Sequence, residues 1–197
     1  MRKVSIILGC AHGKSTTGKQ SPDGTFKEYI WSRHFVNDLL RPMLSEAGFS
    51  VTVINDGENE MGLTNQVKLI NSLKFPTQNV VFASFHNNAK GAGNWENARG
   101  FAVYTSKGKT KSDEVATIAY NAVIEANLGI KIRKDEGDGD MDFEENFTVL
   151  MNKYPSILVE ALFQDNKDDL ALLKSEEFNK KLAKAFVVWA ERLEKIY

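Results

Sequence analysis

Short apolar segments alternate with segments of helical periodicity along this chain, and this alternation limits the possible folds more than any other feature. The apolar segments are rich in β-branched and aromatic residues, as buried strands are, and they predict strands at residues 4–8, 49–54, 79–85, 100–105 and 156–159. Apolar residues at helical spacing predict helices at residues 28–47, 63–73, 112–127, 168–173 and 175–196. We therefore expect an α/β fold with a twisted, mostly parallel sheet and helices on both of its faces.

The length and composition indicate one globular domain. The 197 residues exceed the usual size of one domain but fall short of two. Hydrophobic residues make up 42% and charged residues 26%, which allows a core and excludes wholesale disorder. The 25 basic and 26 acidic side chains leave a net charge of -1, so the positive field of a nucleic-acid-binding protein is missing and we expect no such partner. The single cysteine, Cys10, excludes an internal disulfide.

The N-terminus begins with basic residues and then turns apolar, as a signal peptide does. Its apolar stretch covers only residues 4–8, whereas the apolar region of a signal peptide has about 7 to 15 residues. A buried first strand explains these residues better. No uninterrupted apolar run reaches the length of about 18 residues that a membrane-spanning helix needs. We therefore expect neither a signal peptide nor membrane insertion.

Ionisable side chains follow the ends of several predicted strands. His12, His86 and Glu160 each come after such a strand, and Glu28 opens the helix that follows the first long loop. Ligands of α/β sheets bind beyond the carboxyl ends of the strands, so we expect these four side chains to converge at one edge of the sheet. The chain has three histidines; the third, His34, lies in the middle of a helix, where we expect a structural role.

Two histidines and one carboxylate with an open fourth position are the ligands of a catalytic zinc ion. His12, Glu28 and His86 form such a set, and a further carboxylate held off the metal is typical of a general base. The alternative is that both histidines are solvated or bonded to the backbone, and that Glu28 is a favourable acid in the first turn of a helix. Because these residues are scattered along the chain, their spacing leaves both interpretations open.

Glu160 has the sequence context of a general base. It directly follows the apolar residues 157–159 and is followed by further apolar residues at 161–163. Burial in such surroundings raises the pKa of a carboxyl group toward the range of a general base. The alternative is a capping or salt-bridging residue, but the apolar neighbours favour a role in catalysis.

Three further patterns have structural explanations. Residues 9–15 end in Gly-Lys-Ser, but the spacing of their glycines is one residue short of a P-loop and no helix follows. Cys10 and His12 are two residues apart, as a thiol nucleophile and its base could be, yet a lone cysteine is more often a small buried residue. The acidic stretch at residues 135–142 lacks the ligand order of an EF-hand, and we expect a solvated loop there.

Several segments together resemble a known enzyme family over nearly the whole chain: His12-Gly13, Glu28 at the start of a long helix, and residues 84–89, 99–104 and 155–163. They are similar to the zinc-dependent N-acetylmuramoyl-L-alanine amidases of the amidase-3 type. The resemblance implies an α/β fold, a zinc ion held by His12, Glu28 and His86, and Glu160 as the catalytic glutamate. Two positions depart from the family pattern: residues 9–13 read Gly-Cys-Ala-His-Gly instead of Asp-x-Gly-His-Gly, and Leu162 replaces a glycine.

The resemblance also implies a reaction, which is hydrolysis of the amide between N-acetylmuramic acid and L-alanine of the stem peptide. The resemblance implies that zinc activates water and that Glu160 is the general base. We expect Asn88 to contact the substrate, and the partner to be bacterial peptidoglycan. We expect one amidase domain over residues 1–197, monomeric and acting at the bacterial cell wall, with no separate wall-binding domain. The missing signal is typical of a phage lysis enzyme or of a chain trimmed of its signal. Two alternatives stay open: a zinc peptidase acting on the stem peptide or another amide, and a non-catalytic peptidoglycan-binding module.

Overall fold

Six strands form one sheet in the computed structural model, which describes residues 2–91, 93–137 and 139–197. The strands are β1 (Val4–Cys10), β2 (Ser50–Ile54), β3 (Asn79–Asn88), β4 (Ala102–Thr105), β5 (Phe143–Glu144) and β6 (Ser156–Phe163). Their order across the sheet is β2-β1-β3-β6-β4-β5, and every neighbouring pair is parallel except β4 with β6. This arrangement confirms the predicted α/β fold with a mostly parallel sheet.

Helices cover both faces of the sheet. The first long helix has three continuous parts, which are α1 (Glu28–Arg33), a π-helical segment (His34–Leu40) and α2 (Arg41–Glu46). It is followed by α3 (Leu63–Ser72), α4 (Lys111–Glu125), a 3₁₀ turn (Thr148–Leu150), α5 (Lys167–Leu173) and α6 (Glu176–Leu193). Within the described ranges, no helix combines the length and the apolar character that crossing a bilayer requires.

The larger of two cores lies between one face of the sheet and the helices α1, α2, α4 and α6. At its centre, the ring of Phe186 packs against Phe85, Phe101 and Trp189 at centroid distances of 4.9, 6.5 and 5.7 Å. Full burial of an apolar side chain of this kind contributes about 1.5–3 kcal/mol. The smaller core, around Phe82, packs the opposite face against α3 and the 3₁₀ turn. A cleft at the carboxyl ends of the strands stays open beside it.

The first long helix differs from the regular helix that the sequence predicts, because its central part is π-helical. Trp31, Phe35 and Leu39 recur every four residues, which exceeds the length of an α-helical turn, about 3.6 residues. The wider π-helical turns compensate for this excess. All three side chains therefore face the core, with exposures of 4%, 0% and 6%.

Strands β3 and β6 continue past the ends that the sequence predicts. His86 and Glu160 are partners in the parallel ladder between these strands, so the prediction that they follow strand ends is wrong in this respect. Their side chains line an open cleft instead of a core. In β3 and β6, the apolar sequence pattern therefore ends before the backbone pairing does. The pairing between these strands is first interrupted by a register shift between His86 and Asn88.

The acidic stretch at residues 135–142 is only partly the solvated loop that the sequence predicts. Asp138 lies outside the described residues. Asp142 is 1% exposed, and its Oδ2 accepts a hydrogen bond of 2.6 Å from Thr105. Burial raises the pKa of Asp142 to about 7. The prediction is therefore wrong for Asp142, which anchors the loop to β4.

His34 links the π-helical segment to the start of α6. Its Nδ1 lies 3.0 Å from Asp38 and its Nε2 lies 2.9 Å from Glu176. Partial burial lowers the pKa of His34, but the two carboxylates outweigh burial and raise the pKa above its usual value. The folded protein then binds this proton more tightly than the unfolded chain does. His34 therefore stabilises the fold at low pH, and this contribution is lost as the pH rises through the folded-state pKa.

We expect the substitution His34→Gln to lower the free energy of unfolding by less than about 1 kcal/mol near pH 5, because the ion pairs are partly exposed. The difference from the wild type should shrink toward zero as the pH rises through the raised folded-state pKa of His34, so the second measurement is made near about pH 9. Urea unfolding of both proteins at the two pH values measures this. A destabilisation that is equal at both pH values would show that His34 acts through packing alone.

Candidate active site

Three predicted ligands meet at the carboxyl end of the sheet. His12 follows β1, Glu28 is the first residue of α1, and His86 lies in β3. Each offers one ligand atom, and these three atoms all lie within 4.8 Å of one another. The two imidazole rings stand edge to face, with their centroids 5.1 Å apart. The three candidate ligands, which are far apart in the sequence, thus form one cluster in the structure.

The backbone of His12 is held in an unusual conformation. Its φ of 47° lies in the left-handed region, which non-glycine residues seldom adopt. The guanidinium of Arg33 donates to the carbonyl oxygens of Ala11 and His12 at 2.8 and 2.7 Å. The amide of Asn55 donates to the carbonyl oxygens of Cys10 and His12 at 2.7 and 3.2 Å. These bonds stabilise the turn that directs the imidazole of His12 toward Glu28.

Glu28 is a buried carboxylate at the centre of the cluster, with an exposure of 1%. Its Oε1 lies 3.1 Å from Nδ1 of His86 and 3.4 Å from Nε2 of His12. The backbone N–H of Asn87 and the side-chain amide of Gln164 also donate to it, at 3.1 and 3.2 Å. Burial opposes ionisation, but the hydrogen bonds from His12 and His86 hold the pKa of Glu28 well below its usual value. Glu28 is therefore ionised, as a metal ligand must be.

Each imidazole has a second polar neighbour on its other nitrogen. Nε2 of His86 lies 3.0 Å from the hydroxyl of Ser84, and Nδ1 of His12 lies 3.5 Å from Oε1 of Glu60. Glu60 in turn accepts a hydrogen bond of 2.6 Å from the Thr16 hydroxyl. Such contacts fix the orientation of histidine ligands in metal sites. They leave Nε2 of His12 and Nδ1 of His86 directed at Glu28.

Neither of these two neighbours is predicted from the sequence as part of the site. Ser84 precedes His86 by two residues in a strand, so the alternation of side chains was a usable signal. Glu60 lies between β2 and α3 and carries no local signal. Its position depends on Gly13, where an added Cβ would lie only 2.2 Å from the Glu60 backbone nitrogen. Glu60 reaches His12 because this glycine allows the two loops to touch.

Glu160 stands beside the cluster without belonging to it. It pairs with His86 across β3 and β6 and with Ala102 across β4 and β6. Its Oε2 is buried and has no hydrogen-bond partner among the residues that the structure describes. Burial, together with the negative charge of Glu28, raises the pKa of Glu160 well above its usual value. A carboxyl group in this state is suited to accept and return a proton.

A cleft of about 290 Å³ gives access to the cluster from solvent. Its polar lining includes His12, His86, Glu60 and Glu160, and Phe147 belongs to its apolar side. The cleft therefore places two candidate ligands, His12 and His86, and the candidate base around one space that can hold a reacting group, with Glu28 buried behind the two imidazoles.

The thiol of Cys10 is not a nucleophile in this arrangement. Its side chain is 1% exposed, and burial raises its pKa to about 12. A thiol must ionise before it can attack a substrate. Cys10 is therefore the small buried residue that the sequence favours.

One family of known proteins matches most of the chain. The family model described as N-acetylmuramoyl-L-alanine amidase matches residues 6–189. The chain belongs to this amidase family. The family membership supports an amidase activity directed at the bacterial cell wall. No curated protein matches the chain in a sequence search.

Solved structures of amidases share the fold of this amidase-family chain at low sequence identity. The N-acetylmuramoyl-L-alanine amidase from Clostridium difficile 630 is 20% identical, with a TM-score of 0.83 over 98% of this chain and 97% of that one. Ami1 from Mycobacterium smegmatis is 19% identical, with a TM-score of 0.81 over 100% and 99%. The catalytic domain of the CD27L endolysin, which targets Clostridia difficile, is 20% identical, with a TM-score of 0.71 over 98% of both chains.

Proposed function

We propose that the protein hydrolyses the amide between the lactyl group of N-acetylmuramic acid and L-alanine of the stem peptide in bacterial peptidoglycan. The observation that carries this proposal is the convergence of His12, Glu28 and His86 in one cluster, at an open cleft that His12, His86 and Glu160 line. The family match over residues 6–189 supports the choice of substrate. The protein would act at the cell wall, as a monomer and through this one catalytic domain.

His12, Glu28 and His86 would hold a zinc ion, and their chemistry fits one. A buried carboxylate needs a cationic partner or a metal, and Glu28 forms no ion pair with lysine or arginine among the described residues. Two imidazoles and one carboxylate are a common ligand set of catalytic zinc. When bound, the ion would supply polarisation of the amide carbonyl and acidification of water.

Glu160 would move the proton during the reaction. As general base it accepts a proton from the attacking water, and as general acid it then returns this proton to the nitrogen of the leaving L-alanine. Its raised pKa makes the second transfer easier than it would be for an exposed glutamate. Ser84 and Glu60 would keep the two imidazoles in the orientation that leaves the substrate side of the cleft free.

The proposal is tested by incubating purified peptidoglycan with the protein, with and without added zinc, and analysing the released ends by mass spectrometry. Free L-alanine amino groups on intact stem peptides, dependent on zinc and absent with Glu160→Ala, are the expected products. New amino groups within the stem peptide would instead identify a zinc peptidase. Tight binding to peptidoglycan without any product would identify a binding module.

Glu60 offers a separate test of the metal site. If its contact with His12 orients that ligand, Glu60→Gln should weaken zinc binding about 10- to 100-fold, the usual effect of losing such a partner. Competition with a chelating dye measures the affinity directly, without any assay of activity. Glu58→Gln is the matched control, because Glu58 is exposed and pairs with Lys14. Equal zinc affinities of both variants and the wild type would show that Glu60 does not orient His12.

A further inference from the structure

A second cleft, of about 630 Å³, has a basic lining that includes Asn88, which is two residues beyond His86 in β3. Its charged side chains are Lys90, Arg99, Lys131 and Arg133, and its neutral polar side chains are Asn88, Asn97 and Tyr104. No acidic side chain belongs to this lining within the described part of the chain. We call it the basic cleft.

Tyr104 connects the basic cleft to Glu160. Tyr104 pairs with Leu158 across β4 and β6, and Leu158 and Glu160 are two residues apart, so all three side chains lie on the same face of the sheet. Burial and the negative charge of Glu160 both raise the pKa of Tyr104. The basic cleft is therefore close enough to Glu160 for one substrate to reach both.

Two of the four basic side chains are already paired within the protein. Arg99 lies 2.7 Å from Asp168, and Lys90 lies 3.5 Å from Glu96. Lys131 and Arg133 form no ion pair with any acidic residue that the structure describes. The cleft thus presents uncompensated positive charge, and an anionic group bound there would not compete with a resident carboxylate.

Arg133 is held in place on several sides. Its backbone N–H donates to the carbonyl of Phe101, and its own carbonyl accepts from the hydroxyl of Tyr120, both at 2.9 Å. Its guanidinium stacks over the rings of Phe163 and Phe143 at 4.9 and 5.7 Å. A guanidinium fixed in this way loses little conformational entropy when it binds a carboxylate.

We propose that the basic cleft binds the stem peptide through a free carboxylate on the residue that follows L-alanine, so that the preferred substrate is an acidic, non-amidated stem peptide. This inference rests on the proposed amidase function. Charge assigns the cleft to the peptide and not to the glycan. The hydroxyl and acetamide groups of the sugars are neutral, and the lactyl carboxyl group is taken up in the scissile amide, whereas the peptide carries carboxylates. Arg133 provides the charged hydrogen bonds, and Lys131 adds to the positive field.

Two soluble substrates that differ in one group test this proposal: N-acetylmuramoyl-L-alanyl-γ-D-glutamyl-L-lysinamide, whose D-glutamate keeps a free α-carboxylate, and its counterpart in which that carboxylate is an amide. We expect the wild type to favour the acidic substrate about tenfold in kcat/KM, chiefly through KM, as for a charged hydrogen bond. Arg133→Gln should remove most of this preference, and Lys131→Gln should reduce it. Lys134→Gln is the matched control, because Lys134 pairs with Glu136 and does not line the basic cleft.

The outcomes separate this inference from the proposed function. Equal kcat/KM values of the wild type for both substrates would overturn the basic cleft as a carboxylate site while leaving the amidase intact. Cleavage of neither substrate would contradict the proposed function. In that case calorimetry with the Glu160→Gln protein decides, because L-alanyl-γ-D-glutamyl-L-lysinamide should still bind more tightly than its α-amide. Equal binding of both peptides would overturn the inference. Thermal unfolding of each variant confirms that a lost preference is not a lost fold.

Discussion

Glu160→Gln is expected to lower kcat by about 10²- to 10⁴-fold, the usual contribution of a positioned general base. Glutamine has nearly the shape of glutamate but cannot accept the proton of the attacking water. It also brings no charge into a position that is buried beside Glu28, so we expect the variant to be folded and at least as stable as the wild type. Initial rates of muropeptide hydrolysis measure the loss.

Zinc content and thermal unfolding are the controls for this substitution, because both should match the wild type. Glu191→Gln is the matched variant, since Glu191 is an exposed glutamate on α6 near Arg2 and should leave kcat unchanged. If Glu160→Gln keeps more than about a tenth of the wild-type kcat, the assignment of Glu160 as general base is wrong.

Glu28→Gln is expected to abolish the stabilisation of the fold by zinc. A ligand at a concentration about 1,000 times its dissociation constant stabilises the folded state by about 4 kcal/mol. For a chain of this size, each kcal/mol raises Tm by about 2–4 °C, so zinc should raise the wild-type Tm by about 8–16 °C. Glutamine leaves the two imidazoles without the charged ligand between them, and the rise should nearly disappear. Thermal unfolding with zinc and with a chelator measures both values.

His34→Gln provides the comparison for this second prediction. His34 is the histidine outside the cluster, with its side chain 39% exposed, and its loss should leave the zinc-dependent rise in Tm unchanged. An equal rise in the wild type, Glu28→Gln and His34→Gln would show that zinc binds elsewhere on the chain. The proposed ligand set would then be wrong, whatever the activity of the protein.

Much of the fold follows from local patterns in the sequence. The central strands are recognisable because they are rich in β-branched and apolar residues, as in β1, where all seven residues are buried. The candidate site residues follow from the rule that sheets of this kind bind ligands at one end of their strands. That rule identifies His12, His86 and Glu160 although they are far apart in the chain, and the structure brings them together with Glu28.

Features that depend on contacts between distant segments could not be predicted. The burial of Asp142 depends on Thr105, and the contact of Glu60 with His12 depends on the approach of its loop to Gly13. The ends of β3 and β6 were placed too early, because apolar character ends there while backbone pairing continues.

The basic cleft illustrates the same limit on a larger scale. Its positive side chains come from three stretches of the chain, at residues 90, 99 and 131–133. Their charges are unremarkable in a sequence whose net charge is -1. Only the structure shows that the guanidinium of Arg133 lies over the rings of Phe143 and Phe163. It also shows that Arg133 forms no ion pair with a described carboxylate.

In the proposed reaction, water cleaves the bond between the lactyl group and L-alanine. Digestion of peptidoglycan in water enriched in heavy oxygen tests this reaction most directly. Mass spectrometry of the products locates the incorporated atom. The proposed reaction places heavy oxygen in the lactyl carboxylate of N-acetylmuramic acid and releases stem peptides with an unlabelled, free L-alanine amino group. Heavy oxygen at a sugar reducing end, or in a carboxylate within the stem peptide, would contradict the proposed reaction.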